Sequence, residues 1–537
     1  MSLLEVDRLS LSIHGAPVLT EVSMSVEEGE VFGVIGESGS GKSMTAFSVI
    51  GLPPVGAEAT GAIRLDGENL LEKSERQMCA IRGASVGMVF QEPMTALNPV
   101  QTIGDQVAET ALIHGAMGRA EARALARAML DRVGLPADRF PLDRYPHELS
   151  GGQRQRVVIA MAVALHPRLL IADEPTTALD VTTQAQIVAL LRELVDEFGM
   201  GLMLITHDLG LVAGVADRLA IMRRGQVVEA GPTGRIFAEL AHPYTRALYD
   251  ASAHVPERRV DRIEETPVLE AREVVRDYVL PRSGPFGKPA RFRAVDGVSF
   301  TLKRGENLGL VGESGCGKST LTRAILGLED VQGGEIRVMG ERVDAHLSND
   351  VRRRMQVVFQ DPFGSFNPRW RVERLVAEPF HLLDDAPKGA ERRRAVEAAL
   401  RDVGLAPEDA DKYVHEFSGG QRQRIAIARA LIIRPDLIIL DEAVSALDVS
   451  IRAQILDLLA DLSDRLTLSY LFISHDLSVV RAVTDRVMVM QAGRIVEEGR
   501  TEDVFRDPQH PYTKELIAAA PDIETALAER GGAQAAG

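Results

Sequence analysis

One pattern occurs twice, 276 residues apart, and constrains the chain more than any other feature in it. Gly36-Glu37-Ser38-Gly39-Ser40-Gly41-Lys42-Ser43 returns as Gly312-Glu313-Ser314-Gly315-Cys316-Gly317-Lys318-Ser319. Both copies fit G-x-x-x-x-G-K-[ST], a loop whose backbone N–H groups wrap a triphosphate while the lysine neutralises it and the hydroxyl takes Mg²⁺. Each copy follows a short apolar run, residues 30–35 and 306–311, as a buried parallel strand would. Each precedes a helical stretch, residues 44–50 and 320–326, whose positive N-terminus belongs under the phosphates. Two matches in equivalent settings exclude a chance Gly-rich turn.

At 537 residues the chain exceeds a single hydrophobic core. The repeat divides it into two similar halves, residues 1–250 and 268–537, with the polar stretch 251–267 as linker. A chain that is 45% hydrophobic and 26% charged has a globular composition. No apolar run approaches the ~20 residues that span a bilayer, and the N-terminus lacks a basic-then-apolar export signal. The expectation is a cytoplasmic protein that docks on a membrane partner. The net charge of −16 argues against a non-specific nucleic-acid binder, whose phosphate contacts need clustered Lys and Arg. Cys79 and Cys316 are the two cysteines, too few for a Cys₄ zinc or iron–sulfur site and not expected to pair in a reducing compartment.

Residues 3–13 and 18–26 alternate apolar and polar side chains, as half-buried strands do. Residues 268–280 and 294–302 repeat that plan, with a Pro/Gly-rich insertion at 281–289. Leu125, Met129 and Val133 share one helical face, and Val396, Leu400 and Val403 share another, both read as core stripes. Glu391-Arg392-Arg393-Arg394 reads as a solvated face. The register holds after the first loop: Gln91 to Gln360 is 269 residues, and Ser150 to Ser418, Asp173 to Asp441 and His207 to His475 are each 268.

Leu169-Leu170-Ile171-Ala172-Asp173-Glu174 and Leu437-Ile438-Ile439-Leu440-Asp441-Glu442 are apolar runs that end in paired acids. A buried strand of this kind delivers the first carboxylate to Mg²⁺ and the second to an attacking water. Leu149-Ser150-Gly151-Gly152-Gln153 and Phe417-Ser418-Gly419-Gly420-Gln421 open Arg-rich helical runs. Ser before two glycines at a helix start is a second anion-binding device, with no Cβ between backbone and phosphate. A histidine follows an apolar strand at the same place in both halves, in Ile205-Thr206-His207-Asp208 and Ile473-Ser474-His475-Asp476. Cys316 lies within the second loop and reads first as a small loop filler; the phosphate-directed amides beside it offer a second reading, a thiol of lowered pKa.

With these motifs the chain resembles two ATP-binding cassettes of an ABC transporter fused head to tail, over nearly all its residues. The resemblance implies two α/β P-loop NTPase domains, each with a mixed parallel sheet core, an N-terminal antiparallel β subdomain and a helical subdomain. It implies that ATP is bound by residues 36–43 and 312–319, Thr320, Gln91, Gln360 and the two Ser-Gly-Gly-Gln signatures. One nucleotide would lie between Lys42 and Ser418, the other between Lys318 and Ser150. Mg²⁺ would be held by Ser43, Gln91 and Asp173 in one site and by Ser319, Gln360 and Asp441 in the other. Glu174 and Glu442 would be the general bases, His207 and His475 would hold the γ-phosphate, and Asp180 and Asp448 would sit on the loop that crosses between cassettes. Every catalytic position occurs in both halves, so both sites are expected to hydrolyse ATP. Fusion sets the effective concentration of one cassette for the other on the order of millimolar. Adenine would stack on Tyr278 in the second half; the first offers Ile13 and His14 there, which predicts weaker affinity. Glu442-Ala443-Val444 replaces Glu174-Pro175-Thr176, a difference with no functional account.

Each half closes with a similar tail, Ala241-His242-Pro243-Tyr244-Thr245 and Gln509-His510-Pro511-Tyr512-Thr513, and carries an Asn-Pro pair, Asn98-Pro99 and Asn367-Pro368. These resemble the oligopeptide, dipeptide and microcin C-like import branch. That branch implies two integral-membrane permease subunits, a periplasmic solute-binding protein, a place on the cytoplasmic face of the inner membrane and no nucleic-acid partner. Residues 94–99 and 363–368, including Phe363 and Phe366, are the expected permease docking surfaces. Without the cysteine cluster of many single-cassette members, no iron–sulfur cluster is expected. The competing reading is a soluble tandem ATPase on ribosomes or nucleic acid; the short linker with Pro256 and Pro267 and the lack of zinc cysteines speak against it.

Overall fold

The computed structural model describes residues 2–536 apart from 92–95, 116, 178, 258–262, 280–290, 345–346, 362–363, 446 and 521. The first unit comprises Met1–Leu179, Thr183–Ser252 and the C-terminal helix Ile523–Ala536. The second runs from Ala253 to Ala520 and takes in Asp180–Thr182. The insertion expected at 281–289 lies outside the described residues.

Each unit is built on a six-stranded sheet. In the first the order is Gln226–Pro232, Arg218–Arg223, Val31–Ile35, Gly201–Thr206, Leu169–Asp173, Val86–Val89. The last five are parallel and the first is antiparallel to its neighbour. The second repeats this with Arg494–Arg500, Arg486–Gln491, Asn307–Val311, Ser469–Ile473, Leu437–Asp441 and Met355–Val358. The strand before each glycine loop is therefore internal to its sheet, which is why all five of its residues are buried in both copies.

An antiparallel four-stranded sheet completes each unit: Ala16–Val26, Leu4–Ile13, Ala57–Leu65 and Glu68–Asn69, then Arg291–Arg304, Glu264–Val279, Gly333–Val338 and Glu341–Arg342. Leu4 and Val6, then Leu9 and Leu11, are buried, and the change of parity between the two pairs coincides with a register shift between Val6 and Leu9, where Arg8 has φ 47°. The second unit's long strand begins at Glu264, so the last residues of the expected linker belong to the sheet. Glu264 pairs with Arg304 and Pro267 with Lys303, and the register shifts between them, the kind of irregularity that accommodates a proline.

The helical subdomains correct two readings. On Arg119–Arg132 and its cap, Met129 and Val133 are buried as expected and Ala122, Ala126 and Leu130 join them, whereas Leu125 is only half-buried. Arg393 does not face water alone. It donates to both carboxylate oxygens of Asp411 at 2.7 and 2.9 Å, to Glu397 at 2.8 Å and to Glu373 at 3.4 Å, which pin the helix Gly389–Asp402 to its surroundings. Val396, Leu400 and Val403 are buried as expected.

The helix Ile523–Ala536 packs on Leu209–Val215 of the first unit. Arg530 donates to Asp217 at 3.1 Å, and Asp217 in turn accepts from the N–H of Val31 at 2.9 Å. The repeat places residues 521–537 with the second half, whereas their contacts group them with the first unit. Among the described residues no helix is long and apolar enough to cross a membrane.

Candidate nucleotide site

The glycine loop has one shape in both units because its glycines leave no alternative. Gly36 and Gly312 have φ of 154° and 152°, and a Cβ on either would come within 2.2 Å of a carbonyl oxygen, that of Met222 or Met490. Lys42 and Lys318 are buried at the first turn of the following helices and fold back on their loops. Lys42 Nζ donates to the carbonyls of Gly36 at 2.7 Å and Glu37 at 3.0 Å; Lys318 Nζ donates to Gly312 at 2.6 Å and Glu313 at 2.9 Å. Each ammonium thus stands at the mouth of a cradle of N–H groups, where an anion would meet it.

The acids reach the same end of the sheet. Asp173 ends its strand 2% exposed, and its Oδ1 has no hydrogen-bond partner among the described residues. Burial pushes the Asp173 carboxyl up to about 6; the Ser43 hydroxyl and Lys42 oppose this and the Glu174 charge adds to it. Asp441 is raised by burial and by Glu442. A buried carboxylate with an unpartnered oxygen has the chemistry of a cation ligand.

Glu174 and Glu442 follow with φ of 48° and 51°, the left-handed region that costs a non-glycine residue roughly 1–2 kcal/mol. The turn keeps each backbone N–H in the ladder, donating to Ile205 O at 2.8 Å and Ile473 O at 2.9 Å, while the side chain swings toward the next strand's histidine. Glu174 Oε2 accepts from Gln91 Nε2 at 3.1 Å and Thr177 Oγ1 at 3.0 Å and lies 3.4 Å from His207 Nδ1. Glu442 Oε1 lies 3.3 Å from His475 Nδ1. Burial alone would raise Glu174, but the hydrogen bond and charge of His207, with Thr177 and Lys42, bring it down to about 2. Glu442 is likewise held low, by His475 and Lys318 against burial.

The signature helices Gly151–Val163 and Gly419–Leu431 start at serine caps. Ser150 Oγ accepts from Gln153 N at 3.3 Å and Ser418 Oγ from Gln421 N at 3.4 Å, and each Gln returns a bond to its serine N–H, a capping box. Of the paired glycines, Gly152 and Gly420 serve packing: a Cβ there would meet Thr183 or Ile451 at 2.4 Å. Gly151 and Gly419 are the exposed ones, with room for an approaching anion. The arginines that follow are structural, Arg156 donating to Val133 O at 2.8 Å and Arg424 to Val403 O at 2.7 Å.

The ABC transporter family model matches residues 19–177 and 295–445, more than half the chain, and that of the oligopeptide/dipeptide transporter C-terminal region matches 228–273 and 496–536. The chain belongs to the ABC transporter ATP-binding family. It is 46% identical, over 96% of its length and 89% of the relative's, to the glutathione import ATP-binding protein GsiA of Salmonella typhimurium strain LT2. With GsiA of Escherichia coli K12 the identity is 47% over 94% of this chain and 86% of that one. Among solved structures, cbiO1 of Clostridium perfringens, part of the ABC transporter complex cbiONQ, is 28% identical over 50% of this chain and 99% of its own, with a TM-score of 0.41.

As an ABC ATPase, the chain binds ATP. Bound Mg-ATP supplies the γ-phosphoryl group, with the metal neutralising charge on the transferring oxygens. The residues present fit that load: the unpartnered Asp173 oxygen beside Ser43 suits a cation that takes few protein ligands and keeps several waters. Ser43, Asp173 and Gln91 would hold it, and Ser319, Asp441 and Gln360 in the second cassette. Glu174 and Glu442, held low and so ionised at neutral pH, are able to accept a proton, and His207 and His475 lie against them.

The positions expected to meet adenine differ. Tyr278 donates its hydroxyl to Glu329 at 2.6 Å, lies 3.3 Å from Thr320 Oγ1 and carries the Arg276 guanidinium 4.9 Å from its ring centre. In the first cassette His14 sits in a turn with φ 49° over Gly56. A small cavity of about 100 Å³ at the first loop is lined by Glu37, Ser38, Gly39, Ser40, Arg223 and Arg224. Burial raises the Cys316 thiol in spite of Lys318, which fits a small loop filler rather than an activated thiol.

Three groups at these sites went unread in the sequence. Thr177 braces Glu174, and Tyr244 and Tyr512 reach the P-loops themselves. The signal for the tyrosines was present in the repeated His-Pro-Tyr-Thr.

Proposed function

We propose that the chain is the ATP-hydrolysing, energy-coupling subunit of an importer for peptides or related solutes, glutathione among them. The observation that carries this is the match of both cassette tails to the oligopeptide/dipeptide transporter C-terminal region, in line with the relatives named for glutathione import. Two permease subunits in the inner membrane hold the chain on its cytoplasmic face, and a periplasmic binding protein delivers the solute. The catalytic, nucleotide and metal roles assigned above, Tyr278 and Thr320 at the adenine end included, are part of this reading.

The docking surface is narrower than the sequence suggested. Leu97 is 3% and Phe366 5% exposed, so both are core; Met94 and Phe363 lie outside the described residues. Exposed in or just beyond these stretches are Asn98-Pro99-Val100, Gly364 and Asn367-Pro368-Arg369. The Asn98 side chain accepts from Val100 N at 3.1 Å and that of Asn367 from Arg369 N at 3.0 Å, the same Asx turn presenting the same proline in both cassettes.

Tagged chain purified from membranes should bring down two integral-membrane proteins. Reconstituted with them and their binding protein, its ATPase should rise with a di- or tripeptide such as glutathione. Co-purification with ribosomes or nucleic acid instead would overturn the assignment.

A further inference from the structure

The His-Pro-Tyr-Thr segments have a physical task that the transporter reading leaves unassigned. Glu229 accepts from His242 N at 3.3 Å and from the Thr245 hydroxyl, and His242 Nδ1 accepts from Tyr244 N at 3.1 Å. In the second cassette Glu497 accepts from Gln509 N at 2.8 Å and His510 N at 3.0 Å, and His510 Nδ1 accepts from Tyr512 N at 3.2 Å. Histidine caps the helix, proline occupies its first position, where a missing N–H costs nothing, and the next residue is aimed inward.

That residue ends on the P-loop of its own cassette. The N–H of Glu37 donates to Tyr244 Oη at 3.2 Å, and the N–H of Glu313 to Tyr512 Oη at 2.9 Å. Both rings are buried, 6% and 4% exposed. The Gly36 carbonyl that Lys42 engages and the Glu37 N–H that Tyr244 engages belong to one planar peptide group, and the same holds for Gly312, Glu313, Lys318 and Tyr512. Lysine and tyrosine thus grip one peptide from opposite sides, in both cassettes.

We propose that Tyr244 and Tyr512 are positioning residues of the two nucleotide sites, each fixing the Gly–Glu peptide of its P-loop while the loop lysine passes from that peptide's carbonyl to a bound triphosphate. A phosphate draws the ammonium away, since charged hydrogen bonds to phosphate outweigh those to a neutral carbonyl. The released peptide would then be free to rotate and turn its carbonyl dipole toward the anion. The phenol prevents this by holding the N–H. Burial raises the Tyr244 hydroxyl to about 12 and raises Tyr512 as well, so both stay neutral at any physiological pH.

The proposal rests on the ATPase reading, and the test separates the two. Tyr244→Phe is made in a Lys318→Ala chain and Tyr512→Phe in a Lys42→Ala chain, so that one intact P-loop is titrated with Mg-ATP by calorimetry. Each Phe variant should bind Mg-ATP about 3- to 10-fold more weakly than its parent, the range one neutral hydrogen bond commands. In the otherwise native chain the same variants should raise KM with kcat unchanged, and the melting midpoint without nucleotide should stay in place. Unchanged affinity in both Phe variants overturns the proposal, as does a lowered midpoint with unchanged affinity. Failure of the parent chains to bind Mg-ATP would overturn the ATPase reading and the proposal with it.

Discussion

His207 Nδ1 stands 3.4 Å from Glu174 Oε2, and His475 Nδ1 stands 3.3 Å from Glu442 Oε1. The pairing comes from adjacent parallel strands whose ends are tied by the glutamate N–H, so it is a property of the sheet in both cassettes. Two complete sites predict two working ones. Glu174→Gln and Glu442→Gln should each lower ATP turnover and leave part of it, and the double variant should lose about 10²–10⁴-fold, the usual worth of a positioned base. Steady-state phosphate release decides this; a single variant as inactive as the double would show that the sites cannot fire separately.

The nucleotide sites should differ in what holds the ligand. Tyr278, fixed by Glu329, offers an aromatic face that the first cassette lacks, and stacking of this kind is worth roughly 0.5–1.5 kcal/mol. The first cassette instead places Arg223 and Arg224 beside its loop, where the second has Gln491 and Ala492. In titrations of Lys42→Ala and Lys318→Ala chains, the site at Lys318 should bind ATP more tightly. The site at Lys42 should lose more affinity as salt rises, because exposed charges are screened within a Debye length of about 10 Å at 0.1 M. Equal affinities with equal salt slopes would contradict both parts.

The motifs made the cassettes and their acids legible because each is a short run of residues with one chemical use. What escaped was set by contacts remote in sequence. Arg393 looked like one of four solvated charges, yet Asp411 and Glu373 come round from other segments to meet it. Phe366 looked like a surface aromatic, yet it is buried with the Arg429 guanidinium 4.8 Å from its ring centre. The left-handed backbone at Glu174 and Glu442 was invisible for another reason: it belongs to the turn's closure and leaves no mark on residue type.

Arg393 therefore makes a clear prediction. Its fork-to-carboxylate pair with Asp411, reinforced by Glu397, is the geometry in which a surface ion pair contributes measurably. Arg393→Ala should destabilise the second helical subdomain by about 1–2 kcal/mol, whereas Arg392→Ala should be nearly neutral. The single tryptophan, Trp370, lies in that subdomain, so its fluorescence during urea unfolding reports the difference directly.

Glu497 links the tail's stability to pH. Burial would raise its carboxyl, but the N–H groups of Gln509 and His510 hold it below the usual carboxylate range. A group whose folded pKa is depressed stabilises the fold above its unfolded pKa and loses that contribution as pH falls through the folded value. The unfolded value for glutamate is about 4.3. Glu497→Gln should thus cost about 1–2 kcal/mol at pH 7, where charged acceptors are lost from two backbone donors. The gap between variant and wild type should close below about pH 4. Urea midpoints from pH 3.5 to 7, followed by amide exchange in the helix Pro511–Ala518, measure it; a gap that persists at low pH would mean that Gln replaces the carboxylate's shape but not its place in the cap.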